Sequence, residues 1–288
     1  MSSLQRFSLK LICLSSLLLI LSYEALAADQ ALDLAKRFFD RENYEEAITE
    51  YKRFIFFHPE DQEGVSDALH KIGLIFALSS SWSKAREVLR RSIELTEDSR
   101  IKDKRRIDLG VVLIASKDYS LGELELLKVS YFSQDESIRK KALYFQGIGS
   151  LYMFKWKEAK EIFMSYYPED ETEELKGQLE KAQHLAYKSP KKAKILSLFL
   201  PGSGQIYAGN LKDGVCALLL NGLIGTFMVR AIGEEDWWNA TSLFFLFQRY
   251  YRGNLYHAQE QAELYNQELN RQQALKILKT IQEEVKPR

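Results

Sequence analysis

Histidine and cysteine can hold a metal ion, and cysteine can attack a substrate, but their spacing in this chain favours neither role. The four histidines are isolated, with no carboxylate or cysteine at metal-ligand spacing: His58, His70, His184 and His257. The sequence contains no nucleophile elbow and no zinc-protease helix. Its many carboxylates follow the pattern of solvated helix faces. We therefore predict a protein that is not an enzyme and that needs no cofactor or metal.

The glycine-rich run PGSGQIYAG, from Pro201 to Gly209, is the other place where chemistry could occur, because such runs can cradle a phosphate. A P-loop ends in Gly-Lys-Ser or Gly-Lys-Thr, and a dinucleotide fingerprint needs a strand before it and an acidic residue beyond it. Neither pattern is present. We predict a structural turn instead, since proline removes a backbone donor and glycine permits positive φ. Gln205 and Tyr207 would supply hydrogen bonds at a membrane surface.

The composition limits the fold class and the class of partner. The 288-residue chain carries 40 basic and 40 acidic residues, so no net charge attracts it to nucleic acid. With only 15 glycines and 5 prolines, it lacks the frequent turns of a β-sandwich or β-barrel. We predict an all-α protein with no nucleic-acid partner and with enough length for two domains.

Residues 1–27 are typical of a secretory signal peptide. A charged start precedes an apolar run from Leu11 to Leu21, and Ala25–Ala27 offers a small-x-small cleavage site. An uncleaved membrane anchor is the alternative interpretation. Removal of the signal would take Cys13 with it and leave Cys216 as the single cysteine, so we expect no intrachain disulfide.

The elements that would position any site begin with the stretch from Ala31 to Pro59. Its apolar spacing predicts two amphipathic helices joined by a turn at Asp40–Asn43. Ala35 and Ala47 place small side chains where the two helix backbones approach each other. Pro59 ends the second helix because it has no backbone N–H to donate. The stretch therefore predicts one helix–turn–helix unit.

The same pattern recurs every 37 or 38 residues, marked by the small residue of each second helix: Ala47, Ala85, Gly122 and Ala159. It resembles the tetratricopeptide repeat (TPR), a helix–turn–helix unit of about 34 residues. The first unit matches that family at five positions: Ala35, Phe38, Ala47, Tyr51 and Pro59. It departs at Phe54, where alanine is usual. In the third unit, Leu124 and Leu126 are expected to face inward.

The resemblance implies that residues 28–187 form a TPR-like helical-repeat solenoid, with Glu171–Tyr187 as its capping helix. An irregular helical bundle is the alternative. TPR grooves bind peptides or partner helices, which implies a protein or peptide partner here. Four basic residues on the predicted first helices are candidates for that groove: Lys36, Arg37, Lys71 and Arg106. A solvated basic face is the other interpretation of these residues.

A change of composition at Lys188 predicts a second region, residues 188–256, made of a basic linker and a glycine-hinged, membrane-associated hairpin. Gly214–Ile232 is apolar and long enough to cross most of a bilayer at about 1.5 Å per residue. Ala240–Tyr251 is a second, shorter apolar piece. We expect residues 195–251 to contact membrane lipid, either as full spans or as segments lying in the interface.

The glycine-rich run and the apolar hairpin after it resemble the P-G-x-G-Q-x-Y-x-G element of small bacterial hairpin membrane domains, including TM2-like domains. Seven residues carry this resemblance: Pro201, Gly202, Gly204, Gln205, Tyr207, Gly209 and Gly214. It implies a membrane hairpin and no established activity. Residues 257–288 are predicted to form a polar, amphipathic C-terminal helix that folds back on the repeats or pairs with another helix.

These features together predict a non-enzymatic, exported and membrane-associated TPR scaffold for protein–protein interaction, on the periplasmic side of the bacterial cell envelope. Two alternatives stay open: a soluble periplasmic repeat protein that buries the apolar segments as a core, and a factor for biogenesis of the envelope or its membrane proteins. An exported basic linker conflicts with the positive-inside tendency, so the topology stays open as well. The sequence does not specify an oligomeric state.

Overall fold

The computed structural model describes residues 30–167 and 173–284. The predicted signal peptide, residues 1–27, lies outside the described residues. The described chain is helical and contains no strand. Its contacts divide it into two compact units, Met1–Met153 and Phe154–Arg288. The division falls inside the fourth predicted repeat, and each unit is described by itself.

The described part of the first unit contains α1, at residues 30–40, followed by α2 (Tyr44–Phe57), α3 (Gln62–Leu78), α4 (Trp82–Leu95), α5 (Ser99–Ala115), α6 (Tyr119–Phe132) and α7 (Glu136–Tyr152). The described part of the second unit contains α8 (Trp156–Tyr166), α9 (Glu173–Gln183), α10 (Pro190–Phe199), α11 (Ser203–Tyr207), α12 (Leu211–Gly233) and α13 (Trp237–Glu284).

From α2 to α7, each helix contacts the next one, and α5 also contacts both α3 and α7. The first helices of the pairs, α3, α5 and α7, thus form one layer, and the second helices lie beside it. This is the arrangement of a TPR-like solenoid. The prediction of an all-α, TPR-like fold is confirmed.

The turn within each helix pair is built in the same way. Glu42, Ser80 and Lys117 adopt left-handed backbone conformations, with φ of 62°, 56° and 66°. Around Lys117, its own N–H donates to the Ile114 carbonyl at 3.0 Å and the N–H of Asp118 donates to the Leu113 carbonyl at 2.8 Å. The other two turns repeat both bonds. This is a Schellman motif, which satisfies the last carbonyls of the first helix and reverses the chain.

Aspartate starts the first helix of each later pair. Asp61, Asp98 and Asp135 are the N-cap residues of α3, α5 and α7, and each side chain accepts a hydrogen bond from a backbone N–H of the first turn. These positions recur at the repeat period. The caps therefore fix where each pair begins, just as the left-handed turns fix where it reverses.

The small residues allow the predicted close approach of helices. A Cβ atom on Gly122 would lie 2.9 Å from the Gly110 carbonyl oxygen, so α5 and α6 could not pack this closely with larger side chains. Leu126 is fully buried beside them, whereas Leu124 is 45% exposed. The expectation that Leu124 faces inward was wrong, because two residues of helix from Gly122 rotate a side chain by about 200° away from the packed face.

Phe54 occupies its atypical position without strain on the repeat. Its ring is 4% exposed, and it stacks on His58 with ring centroids 4.7 Å apart. Gly64 of α3 provides the space, since a Cβ atom there would lie 2.7 Å from the Phe54 ring. A large residue in one helix is thus offset by glycine in the next.

The C-terminal helix of the second unit begins earlier than predicted. The predicted boundary between residues 256 and 257 falls inside α13, which runs unbroken for 48 residues. The second apolar piece and the polar tail are therefore one helix. α12 precedes it, and the chain reverses between them at Glu235, whose φ is 60°. α12 and the first part of α13 contact each other as a hairpin.

α12 is the one helix in the described chain that is long and apolar enough to cross a membrane, with 23 residues. Only 17% of its most apolar window is buried. Large side chains along it are exposed, including Leu219 at 59%, Leu223 at 57% and Phe227 at 55%. A core helix of a water-soluble domain would bury these side chains.

Candidate functional site

The seven residues of the glycine-rich motif lie together at the junction of α10, α11, α12 and α13. Gly202 and Gly214 bring the backbones of two segments into contact. A Cβ atom on Gly202 would lie 2.0 Å from the Gly214 carbonyl oxygen, and one on Gly214 would lie 2.7 Å from the Gly202 carbonyl oxygen. Gly202 also has a φ of 93°, which favours glycine. Pro201 precedes it and follows the end of α10.

Gln205 connects three helices through its side-chain amide, which is fully buried. Its Nε2 donates to Asn254 Oδ1 of α13 at 2.6 Å, and its Oε1 accepts from Ser197 Oγ of α10 at 3.0 Å. Ser197 Oγ in turn accepts from the N–H of Gly204 at 3.0 Å. Gly204 must be glycine here, because a Cβ atom would lie 2.1 Å from the Ala193 carbonyl oxygen.

Tyr207 and Gly209 complete the junction. The hydroxyl of Tyr207 accepts from the N–H of Ser189 at 3.2 Å, and the Nζ atoms of Lys188 and Lys192 lie 5.0 and 5.1 Å from its ring centroid. Gly209, with a φ of 93°, ends α11 in the same Schellman geometry as the repeat turns. The polar groups of the motif thus bond to the protein itself, and the arrangement suits holding the apolar hairpin at a fixed angle.

The polar half of α13 is held against the linker and α9 by amide side chains. Asn266 bonds both backbone groups of Lys188, accepting from its N–H and donating to its carbonyl, each at 2.8 Å. Asn270 accepts from the Tyr187 hydroxyl at 2.7 Å, and Gln273 donates to the Gln178 carbonyl at 3.0 Å. The tail therefore packs on α9, which lies within the predicted capping helix Glu171–Tyr187, and this corresponds to the expectation that it folds back on the repeat region.

The four candidate groove residues lie in different environments. Lys36 and Arg37 are exposed on α1. Lys71 of α3 is half-buried, with its Nζ 4.7 Å from the centroid of the Phe39 ring. Arg106 of α5 is half-buried, and its Nε is enclosed without a hydrogen-bond partner among the described residues. All four lie on first helices, and their role in binding stays a prediction.

Two side-chain pairs on the same layer of helices were missed in the sequence. His70 Nε2 lies 2.9 Å from Asp108 Oδ2, and Arg105 pairs with Asp67. Each pair joins residues 38 positions apart, which is one repeat period. Residues at equivalent positions of successive repeats lie side by side in a solenoid, so a histidine or arginine one period away from an aspartate was the signal.

Arg105 is the most buried cation of this layer, at 3% exposed. Its guanidinium also donates to the side chains of Ser66 and Thr96 and to the Ser92 carbonyl. Burial lowers the pKa of Arg105, while the Asp67 carboxylate opposes that shift. The cluster ties α3, α4 and α5 together, which is a structural use of the charge.

The described residues contain no group of three or more His, Cys, Asp or Glu that could hold a metal ion. Cys216, on α12, is a free thiol and is exposed. The prediction that the protein is not an enzyme stays a prediction.

No protein-family model matches the chain, and no curated protein matches it. Among solved structures, the chain is similar to PilF from Pseudomonas aeruginosa, with 22% sequence identity. The match covers 83% of this chain and 99% of that one, with a TM-score of 0.40. A likeness at this level carries no functional argument, and the fold described above is based on the helices themselves.

Proposed function

We propose that this protein is a non-enzymatic scaffold, anchored to a membrane of the bacterial cell envelope by the α12–α13 hairpin, whose repeats bind a protein or peptide partner. The observation that carries the proposal is the exposure of α12, an apolar helix of membrane-crossing length. Leaving such a surface in water would be costly, at roughly 25 cal/mol per Å² of apolar area. Lipid is the environment that removes this cost.

The first part of α13 supports the same proposal. It carries Trp237 and Trp238, which are 66% and 83% exposed, followed by exposed Phe244 and Phe245. Tryptophan side chains at the end of an apolar hairpin suit the lipid headgroup region. The soluble alternative requires these side chains to form a core, and their exposure does not favour it.

Membrane association is tested by fractionating cells that express the full chain and extracting the membranes with alkaline carbonate and with detergent. We expect the protein to resist carbonate and to dissolve in detergent. Recovery of the wild-type protein in the carbonate supernatant would refute the anchor. Replacing Leu219 and Leu223 by arginine should release the protein, since each arginine at mid-bilayer costs about 2.5–3.5 kcal/mol. Leu264 and Leu275 are exposed leucines on the polar half of α13, so the same replacements there are the matched control.

The proposed location of the repeats is on the periplasmic side, which rests on the signal-like residues 1–27. Protease treatment of spheroplasts, with an epitope tag at each end of the mature chain, tests it. Digestion of the repeats without lysis is the expected result. Protection of the repeats until the cells are lysed would place them in the cytoplasm, as the basic linker would favour.

Partner binding is proposed for the layer formed by α1, α3 and α5, where Lys36, Arg37, Lys71 and Arg106 would favour an acidic segment. A photo-crosslinker at Lys36 should give a discrete adduct that disappears when Arg37 and Lys71 are replaced by glutamate. The same crosslinker at exposed Arg91 of α4 is the control. An identical adduct from both positions, or none from Lys36, would contradict the proposal.

A further inference from the structure

α10 and α13 enclose a groove of about 650 Å³. The two helices run antiparallel. Lys194 of α10 lies over the ring of Tyr256 of α13, and the carbonyl of Leu198, one turn later on α10, accepts a hydrogen bond from the hydroxyl of Tyr251, which comes earlier on α13. Most of the exposed wall is apolar. Its lining residues are Ser189, Pro190, Lys191, Lys194, Ile195, Leu198, Leu255 and Gln259. A recess of this size and lining suits a hydrocarbon chain.

Cations border this groove, and no acidic residue is among those that line it. Lys191 and Lys194 line it, and Arg252 lies one turn before Leu255 on the same face of α13. The chain has no Asp or Glu at positions 181–212 or 237–259. Glu260 is the first acid beyond, and its carboxylate lies 3.5 Å from His257 Nδ1. The residues that line the groove therefore carry two positive charges and no negative one.

The groove is continuous with the apolar surface proposed to enter the membrane. α10 ends in Phe199, 82% exposed, followed by Leu200, 53% exposed, and both lie at the end of the groove that faces the hairpin. Lys191 lies at the opposite end, about two turns earlier on α10. An apolar recess that leads from the lipid-facing surface to two lysines matches the order of chain and headgroup in a phospholipid.

We propose that this groove binds one anionic phospholipid, with an acyl chain along Ile195, Leu198 and Leu255 and the phosphate between Lys191 and Lys194. The side chain of Lys194 already lies against α13, since its Nζ is 4.8 Å from the centroid of the Tyr256 ring. A headgroup with net negative charge is favoured over a zwitterionic one, because the positive amine of the latter would face the same cations. The inference rests on the proposed membrane association and adds the class of lipid.

The test is native mass spectrometry of the full chain purified in detergent, with phosphatidylglycerol or phosphatidylcholine added. We expect one retained phosphatidylglycerol and little phosphatidylcholine. Lys191→Gln with Lys194→Gln should weaken phosphatidylglycerol binding about 25-fold, since each lysine near an anionic headgroup contributes roughly fivefold. Lys276→Gln with Lys279→Gln, an equal change of charge on the exposed far part of α13, should leave binding unchanged.

A second variant separates the groove from the general attraction of basic residues to anionic lipid. Ile195→Trp fills the apolar wall without changing charge, and it should abolish the retained lipid while the protein still floats with vesicles. Retention of the lipid in this variant would overturn the groove as the binding site.

Adding inorganic phosphate or glycerol phosphate as a competitor distinguishes a site for a lipid headgroup from a site for free phosphate. Displacement of the lipid by either compound at a similar concentration would identify a free-phosphate site and overturn the proposal. Equal binding of both lipids, in a protein that still resists carbonate extraction, would refute this inference alone. Loss of the wild-type protein from membranes altogether would refute the proposed function instead.

Discussion

The Nε2 atom of Gln205 lies 2.6 Å from Oδ1 of Asn254, a residue 49 positions later in the chain. Both side chains are buried, and the bond joins the short helix α11 to the middle of α13. The same amide accepts a hydrogen bond from Ser197 of α10. One side chain thus holds together the helices on which the hairpin and the lipid groove both depend.

Replacing Gln205 by alanine should destabilise the second unit by about 2–3 kcal/mol, because it leaves the Ser197 hydroxyl and the Asn254 carboxamide buried without this partner. Thermal unfolding of the detergent-purified protein measures the change. Gln267→Ala, at an exposed position of α13, should have little effect. Equal melting temperatures for the two variants would show that the amide does not hold the junction.

Glycines of α12 should differ sharply in their tolerance of alanine. At Gly214 a Cβ atom would lie 2.5 Å from Ile206 Cγ1 and 2.7 Å from the Gly202 carbonyl oxygen, whereas at Gly222 it would meet nothing within 4 Å. We expect Gly214→Ala to cost about 1–3 kcal/mol through overpacking. Gly222→Ala should cost nothing and gain up to about 1 kcal/mol of helix propensity. Urea or thermal titration in detergent distinguishes them, and similar stabilities would contradict the close approach at Gly202.

The repeats could be predicted from sequence because their determinants are local. Small residues at one period and Pro59 mark the helix pairs without reference to distant residues. The N-caps Asp61, Asp98 and Asp135 were equally local and periodic, so they could have been found by the same reasoning. Side-chain pairs such as His70 with Asp108 could have been predicted from the repeat period alone.

The second unit was harder to predict because long-range packing decides it. Gly253 favours a helix end on propensity alone, by about 1 kcal/mol relative to alanine. Yet α13 continues through it, since Asn254 bonds Gln205 on one side and Asn266 bonds Lys188 further on. The types of the motif residues indicated a packed turn. Their spacing did not indicate which helices the side-chain amide of Gln205 would bond to.

Lys117 offers a way to stabilise the repeats. It is exposed and has a φ of 66°, a conformation that costs a residue with a Cβ atom roughly 1–2 kcal/mol. Lys117→Gly should raise the free energy of unfolding by about 0.5–1 kcal/mol, because part of that strain is offset by the greater entropy of glycine in the unfolded chain. Lys117→Ala keeps the strain and is the matched control. A glycine variant no more stable than the alanine variant would contradict the left-handed turn.

Tyr51 should make the first unit sensitive to alkaline pH. Its side chain is 1% exposed, and its hydroxyl has no hydrogen-bond partner in the described chain. Burial, together with the nearby carboxylates of Asp40 and Asp67, raises the pKa of Tyr51 from 10.0 to about 12. The folded protein therefore keeps the phenolic proton over a pH range in which the unfolded chain has lost it.

Because the folded pKa is raised, the stabilisation is fully present below about pH 10 and is lost as the pH rises towards 12, by at most about 2.7 kcal/mol. Tyr51→Phe removes both the unpaired hydroxyl and this titration. We expect the variant to be at least as stable as the wild type at pH 8 and to lose less stability above pH 10, measured by denaturant titration at each pH. Tyr131→Phe, at a residue that is 75% exposed, controls for tyrosine titration in general. Parallel alkaline losses in the wild type and in Tyr51→Phe would show that the phenol of Tyr51 titrates normally, and hence that solvent reaches it in the folded repeats.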